Sequence, residues 1–255
     1  MNPTYTQAIC RLPGPDFADG ITTSELGRPD FQKMLGQHQA YVAALKGLGL
    51  EVEILEPLPG FPDAYFVEDA ALMFPEIAVV TRPGAQARRG EEVAIAPVTL
   101  QHRLQTAIEA PGTLDGGDVL VIEKRVLVGR SERTNDAGIA QLGRMLAPFG
   151  YTVTAVPVAA GLHFKSSVNW VGGNALLVSP AFATREELRG FDLLVVDPSE
   201  DYATNTLLIN GTLLMPSGYP KTHALLEPLG HPIVELDTSE ARKMDGGLTC
   251  LSLRF

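Results

Sequence analysis

The chain has 255 residues, 45% of them apolar and 20% charged, the composition of an ordinary soluble globular protein. A net charge of −10 argues against a phosphate-tracking surface, so nucleic acid is not an expected partner, although a carboxylate-lined cleft can still focus potential on a small cation. The two cysteines, Cys10 and Cys250, lie at opposite ends and fit a reducing cytoplasm; no signal-like run and no bilayer-length apolar run occurs, so no membrane is expected.

In chain order, Ala8–Arg11 opens as a short strand, and Asp19–Ser24 is polar and loop-like. From Asp30 a helical period sets in, with Phe31, Met34, Leu35, Val42, Leu45 and Leu48 on one side and Gly47 and Gly49 at its end. Val52–Leu55 is a strand and Pro57–Pro62 a breaker-rich loop. Phe66–Phe74 follows, then the apolar run Ile77–Val80 and a turn at Arg82-Pro83-Gly84. Gln86–Glu92 is polar and charged, an ordered loop or a lid.

A similar phrase then recurs. Leu114–Ile122 is followed by Val126–Gly129, a helix from about Asn135 to Gly150, and the strand Tyr151–Val156. Val171–Val178 repeats the opening, with Leu193–Val196 as its later strand. Ala203–Ile209 repeats it again, with Leu213–Met215, a helix around Thr222–Leu229 and the strand Ile233–Leu236. The stretch Asp245–Leu253 is the last copy, completed by the N-terminal strand. Each copy sets a polar residue (Asp69, Asp118, Asn174, Asn205, Cys250) at the start of an apolar strand. Repetition of one supersecondary unit suggests radial packing. The expectation is an α/β propeller of about five ββαβ units around a pseudo-fivefold axis, with residues 1–255 in one domain and the polar strand starts gathered at one central channel.

Cys250 follows Gly246-Gly247, where backbone can approach closely, and a thiol there can be presented to a pocket or simply be buried. His163 lies in Gly161-Leu162-His163-Phe164-Lys165. Together they meet the requirement of thiol catalysis, a nucleophile with an imidazole that moves protons near neutral pH. Asp115 in Asp115-Gly116-Gly117-Asp118 is placed to orient the ring, or marks a tight turn. His38, His102, His223 and His231 read as helix faces or loops. Three acids, Asp63, Glu68 and Asp69, sit among aromatic and apolar residues; buried carboxylates need a cation, from within the protein or from a substrate. Arg88-Arg89 and Arg133 supply guanidinium groups suited to bidentate carboxylate binding. No metal-ligand or phosphate-loop spacing occurs, so neither metal nor cofactor is expected.

At these residues the chain resembles the dimethylarginine dimethylaminohydrolases of the guanidine-modifying, pentein-fold superfamily. The matching phrases are Asp19-Gly20-Ile21-Thr22, Phe61-Pro62-Asp63 with Phe66-Val67-Glu68-Asp69, Thr81-Arg82-Pro83-Gly84 with Arg88-Arg89-Gly90-Glu91, Leu114–Asp118, Arg133-Thr134-Asn135, Leu162–Lys165 and Asp245–Cys250. The resemblance implies a five-bladed propeller and cofactor-free hydrolysis of N-methylated arginines to citrulline and a methylamine. It makes Cys250 the nucleophile, His163 the general acid and base, and Asp115 the carboxylate paired with that histidine. Asp63, Glu68 and Asp69 fall at acidic substrate-binding positions, and Arg88 and Arg133 near the substrate's amino-acid end. Ile21 falls at a lid contact and Met244 at another substrate contact; Leu162 and Met244 also flank the catalytic residues in sequence, where apolar side chains are expected to pack against methyl groups. The implied partner is a small methylated arginine, with a homodimer as the assembly kept in view. Arginine deiminase, an amidinotransferase and a non-catalytic propeller are the alternatives; the Cys–His–carboxylate set argues against the last.

Overall fold

The computed structural model describes residues 4–159 and 163–255; Leu162 lies outside the described residues. Among the described residues, fifteen strands pair into five sheets of three. The units are β3 (Ala71–Met73), β4 (Ala78–Val80) and β5 (Gln105–Ala107); β6 (Val119–Ile122), β7 (Arg125–Arg130) and β8 (Thr152–Pro157); β9 (Val168–Gly172), β10 (Ala175–Val178) and β11 (Asp192–Val195); and β12 (Leu207–Ile209), β13 (Thr212–Pro216) and β14 (Ile233–Leu236). The fifth closes the ring with both chain ends, β15 (Leu253–Arg254) lying beside β1 (Gln7–Arg11) and β2 (Glu51–Leu55). In every sheet the first pair is antiparallel and the second parallel. A parallel return needs a crossover, and helices supply it in four of the units: α1 (Phe31–Gly47), α2 (Glu91–His102), α3 (Asp136–Leu146) and α4 (Pro220–Leu226), while α5 (Ser239–Arg242) precedes the last unit.

The innermost strands surround one channel, to which Leu72, Leu120, Trp170, Leu208 and Leu253 each contribute from a different sheet. This is the expected five-unit ring. Local chemistry sets the helix starts: the Asp30 side chain accepts from Lys33 N–H and Asn135 from Gly138 N–H. Met34, Val42 and Leu45 bury the inner face of α1, as their spacing predicts. His38 turns into the same core, where burial pushes it down to about 4.

Two expectations are corrected. The third copy of the phrase opens not at Val171 but at the single helical turn Phe164–Ser166 followed by β9. Gly172-Gly173-Asn174 is the hairpin turn between β9 and β10, and Asn174 is exposed, bonding Gly190 O. The glycine pair and buried β10 imitate an inner strand's signature. Secondly, Gln86–Glu92 is one helical turn leading into α2 rather than a loop or lid. Pro97 lies inside α2, and Val93 and Leu100 are exposed, so neither breaker logic nor amphipathic spacing marks that helix.

Candidate active site

At one end of the ring the polar residues sit in single helical turns that precede the inner strands. Val67–Ala70 carries Asp69, Gly116–Asp118 follows Asp115, Phe164–Ser166 follows His163, and Thr249–Leu251 carries Cys250. A cavity of about 140 Å³ opens among them, lined by Cys250, His163, Asp63 and Asp69. Ile21, Met244, Arg88 and Arg133 also line it.

Asp115 is fully buried one layer behind His163. Its Oδ1 accepts from Gly84 N–H at 2.8 Å, and its Oδ2 lies 3.0 Å from His163 Nε2. The short aspartate therefore reaches the ring and leaves Nδ1 without a hydrogen-bond partner among the described residues. Asp69 Oδ1 stands 3.9 Å from the same Nε2 and accepts from Gly117 N–H at 2.8 Å. Only a glycine fits there: a Cβ on Gly117 would come within 2.7 Å of Asp69 Oδ1 and 2.9 Å of the His163 ring. Burial opposes charge on His163, but Asp69, the Asp115 hydrogen bond and Asp118 outweigh it and raise the ring to about 9. Burial also works against ionised Asp69, yet His163 and Arg88 hold it down at about 2. Asp118, which the structure adds to the site, anchors the histidine segment by accepting from Phe164 N–H at 2.9 Å.

Cys250 is 8% exposed. Burial, then Asp69 and Glu68, push its thiol up to about 12. Asp63 accepts from Ile21 N–H at 3.0 and 3.2 Å, which ties the Asp19–Ser24 loop over the pocket. Asp245 gives that loop a second tie through Thr22 and Thr23. Sequence reasoning missed this strap; its signal was an Asp-Gly turn, and Asp245 has φ +57°.

The remaining residues separate in an instructive way. Arg88 is buried and committed: to Asp69, to both oxygens of Glu91 at 2.9 and 2.7 Å, and to the carbonyls of Asp63 and Phe66. Arg133 has no carboxylate within ion-pair distance among the described residues, so its fork is free for a ligand. Glu68 does not line the pocket. Its Oε1 takes Lys165 Nζ and Arg254 Nη2, both at 2.7 Å, and it faces the channel. That channel is the larger cavity, about 530 Å³. One wall serves both spaces: Glu68, Lys165 and Thr249 face the channel, and their neighbours Asp69, Ser166 and Cys250 face the pocket.

Ligand atoms of Asp69, Asp115 and His163 lie within 4.8 Å of one another, a spacing a cation can use. Asp69 and Asp115 already accept from Arg88, Gly117 and Gly84, so this set is built as a hydrogen-bonded relay. The other histidines serve the frame: His102 meets Glu53, His223 meets Glu235, and His231 meets Gly211 O.

The arginine deiminase family model matches residues 32–161, and the ring of ββαβ units with a thiol, an imidazole and carboxylates at one end belongs to that class. Among curated proteins, the N(G),N(G)-dimethylarginine dimethylaminohydrolase of Pseudomonas aeruginosa is 38% identical over 98% of this chain and 100% of its own. Its namesake in Streptomyces coelicolor is 39% identical over 98% and 96%. A cysteine-to-serine mutant of the P. aeruginosa enzyme complexed with citrulline superposes with a TM-score of 0.97, covering 99% of this chain and 100% of that one at 37% identity. The chain belongs to the dimethylarginine dimethylaminohydrolase family. The N-terminal domain of ArgZ, an arginine dihydrolase, superposes with a TM-score of 0.86 at 17% identity, a likeness of fold alone.

Proposed function

We propose that this protein hydrolyses N-ω-methylated arginines to citrulline and a methylamine through a covalent intermediate on Cys250. The observation that carries this reading is the convergence of Cys250, His163 backed by Asp115, and the acids Asp63 and Asp69 on one pocket. A guanidinium is resonance-stabilised and resists attack, so its carbon must be fixed against a strong nucleophile. Asp63 and Asp69 accept its N–H bonds. The bound cation offsets the acids that keep Cys250 protonated, and the thiol releases its proton to solvent as substrate binds.

The thiolate adds to the central carbon. His163, protonated at neutral pH, gives its proton to the departing dimethylamine. The neutral ring then takes a proton from water, whose hydroxide adds to the S-alkylthiouronium carbon; collapse breaks the C–S bond, the hydroxyl proton passes to the departing sulfur, and citrulline and the free thiol remain. Arg133 holds the distant α-carboxylate, and Arg88 acts from behind by fixing Asp69. Glu68 contributes its charge from the far side of the wall. Phe66 and Met244 line the pocket and give methyl groups an apolar neighbour. Both cysteines are free thiols, in keeping with work in the cytoplasm.

Citrulline release from asymmetric dimethylarginine, monomethylarginine and arginine tests the reading. The methylated substrates are expected to lead in kcat/KM; arginine turned over as well or better would make the protein a deiminase.

A further inference from the structure

Thr249 precedes the nucleophile and is buried. Its hydroxyl oxygen is 3.8 Å from Cys250 Sγ. That oxygen accepts from Asn205 Nδ2 at 3.1 Å, while Asn205 Oδ1 accepts from Thr249 N–H at 3.0 Å. A hydroxyl that accepts from an amide turns its own proton away from that amide. Among the described residues, the sulfur is the acceptor left within its reach.

Asn205 is 5% exposed and fixed on its other side as well. Its Nδ2 also donates to Lys165 O at 3.2 Å, a carbonyl shared with Asn169 Nδ2 at 2.6 Å. Gly247 packs so closely on Asn205 that a Cβ would overlap the amide carbon. Gly247 also supplies a backbone hydrogen bond that favours the ionised sulfur. One asparagine thus ties the nucleophile's turn to the segment that follows His163.

We propose that the Thr249 hydroxyl donates a hydrogen bond to the Cys250 thiolate and that Asn205 is the positioning residue that aims it. Its place in turnover rests on the function proposed above; its effect on the sulfur does not. The surroundings explain why such a donor matters. From one turn Asp69 acts on the sulfur across the pocket and Glu68 through the wall, with Tyr65 in the segment before that turn and Tyr202 in the segment before β12. His163, backed by Asp115, shares the pocket. Burial and these acids disfavour the thiolate, and the Gly247 and Thr249 hydrogen bonds oppose them. A donor fixed before the charge forms needs no reorganisation when it does.

The test titrates the sulfur in the full chain without substrate. Thiolate ultraviolet absorbance is followed against pH, with Cys250→Ser as the blank that removes any signal from Cys10. Alkylation by iodoacetamide at one fixed pH gives the same comparison where the transition runs too alkaline. Thr249→Val is expected to lower the thiolate fraction about tenfold. Alkylation should slow only about threefold, because a more basic thiolate is intrinsically more reactive. Thr249→Ser should restore the wild-type titration, and Asn205→Ser should shift it in the same direction as Thr249→Val. In turnover, Thr249→Val should lower kcat with little change in KM.

A folded Thr249→Val protein with the wild-type titration would overturn the proposal, as would Thr249→Ser titrating like Thr249→Val. If Thr249→Val does not fold, a wild-type titration in Asn205→Ser overturns it. A protein inactive on methylarginines whose Thr249→Val titration shifts would refute the function and keep this pair; an active hydrolase with no shift would do the reverse.

Discussion

Two cavities share one wall at the centre of the ring. The channel is the larger, about 530 Å³, and is walled by inner strands with Glu68, Lys165 and Arg254 at the polar end. The pocket is near 140 Å³ and is walled by loops and single helical turns. Size alone would direct attention to the channel. The charges of the channel, however, pair with one another: Glu68 Oε1 takes two cations, while its buried Oε2 has no hydrogen-bond partner among the described residues. Those of the pocket end at groups that still have something to give, namely the thiol of Cys250, Nδ1 of His163 and the fork of Arg133. Chemistry belongs where a thiol, an imidazole and an unpaired cation are aimed at one point, and the ion-pair network beside it acts as support.

Substitutions on the two sides of the wall should therefore fail in different ways. Cys250→Ser should reduce citrulline formation by at least about 10⁴-fold with unchanged thermal unfolding; appreciable turnover by the folded variant would move the nucleophile elsewhere. Asp115→Asn should lower kcat by roughly 10²–10⁴-fold, since the partner that orients the ring is altered. It also removes one cause of the raised His163 value, so the alkaline limb of the pH–rate profile should move from near 9 towards the ordinary histidine range. An unmoved limb would mean that His163 is not the proton donor.

The same histidine predicts a stability trend. Its folded value lies above the unfolded one, so its contribution is complete below about 6.5 and is lost as pH rises through about 9. Thermal unfolding should show this loss in wild type, and His163→Gln should flatten it. Arg133→Ala should raise KM about 10- to 100-fold while kcat changes little, because it removes ground-state binding at the remote end; an equal loss in kcat would give Arg133 a part in the chemical step. Glu68→Gln sharpens the comparison most. It should destabilise the fold by about 3 kcal/mol, by leaving Lys165 and Arg254 poorly paired, yet change turnover of the folded protein by only about threefold. A loss like that of Asp115→Asn would bring Glu68 into the chemistry.

The sequence carried the ring because its units are written locally. Asp30 and Asn135 cap their helices, short apolar runs make the strands, and the phrase ending in Cys250 needs the N-terminal strand to complete it. Cys250, His163 and Asp115 could be singled out from residue types, glycine settings and the family resemblance, and the structure brings the first two to one pocket with Asp115 against the ring. The facing of side chains was less so. Glu68 and Asp69 are neighbours, and only the twist of a single helical turn sends one to each cavity. Arg88 and Arg133 look equivalent in sequence; the difference is Glu91 and Asp69 folding onto one of them. In the third unit Gly172-Gly173-Asn174 imitated Gly116-Gly117-Asp118, and a buried middle strand carries no periodic sign of its rank.

The central claim, that the pocket side of the wall performs a covalent hydrolysis at sulfur, is tested most directly by rapid quenching of the protein with asymmetric dimethylarginine followed by intact and peptide mass spectrometry. The account predicts a transient adduct equal to the substrate less dimethylamine, carried on the Cys250 peptide, forming and decaying at rates that match citrulline release and absent in Cys250→Ser. Citrulline formed at full rate by Cys250→Ser, or an adduct carried on any other residue, would contradict it.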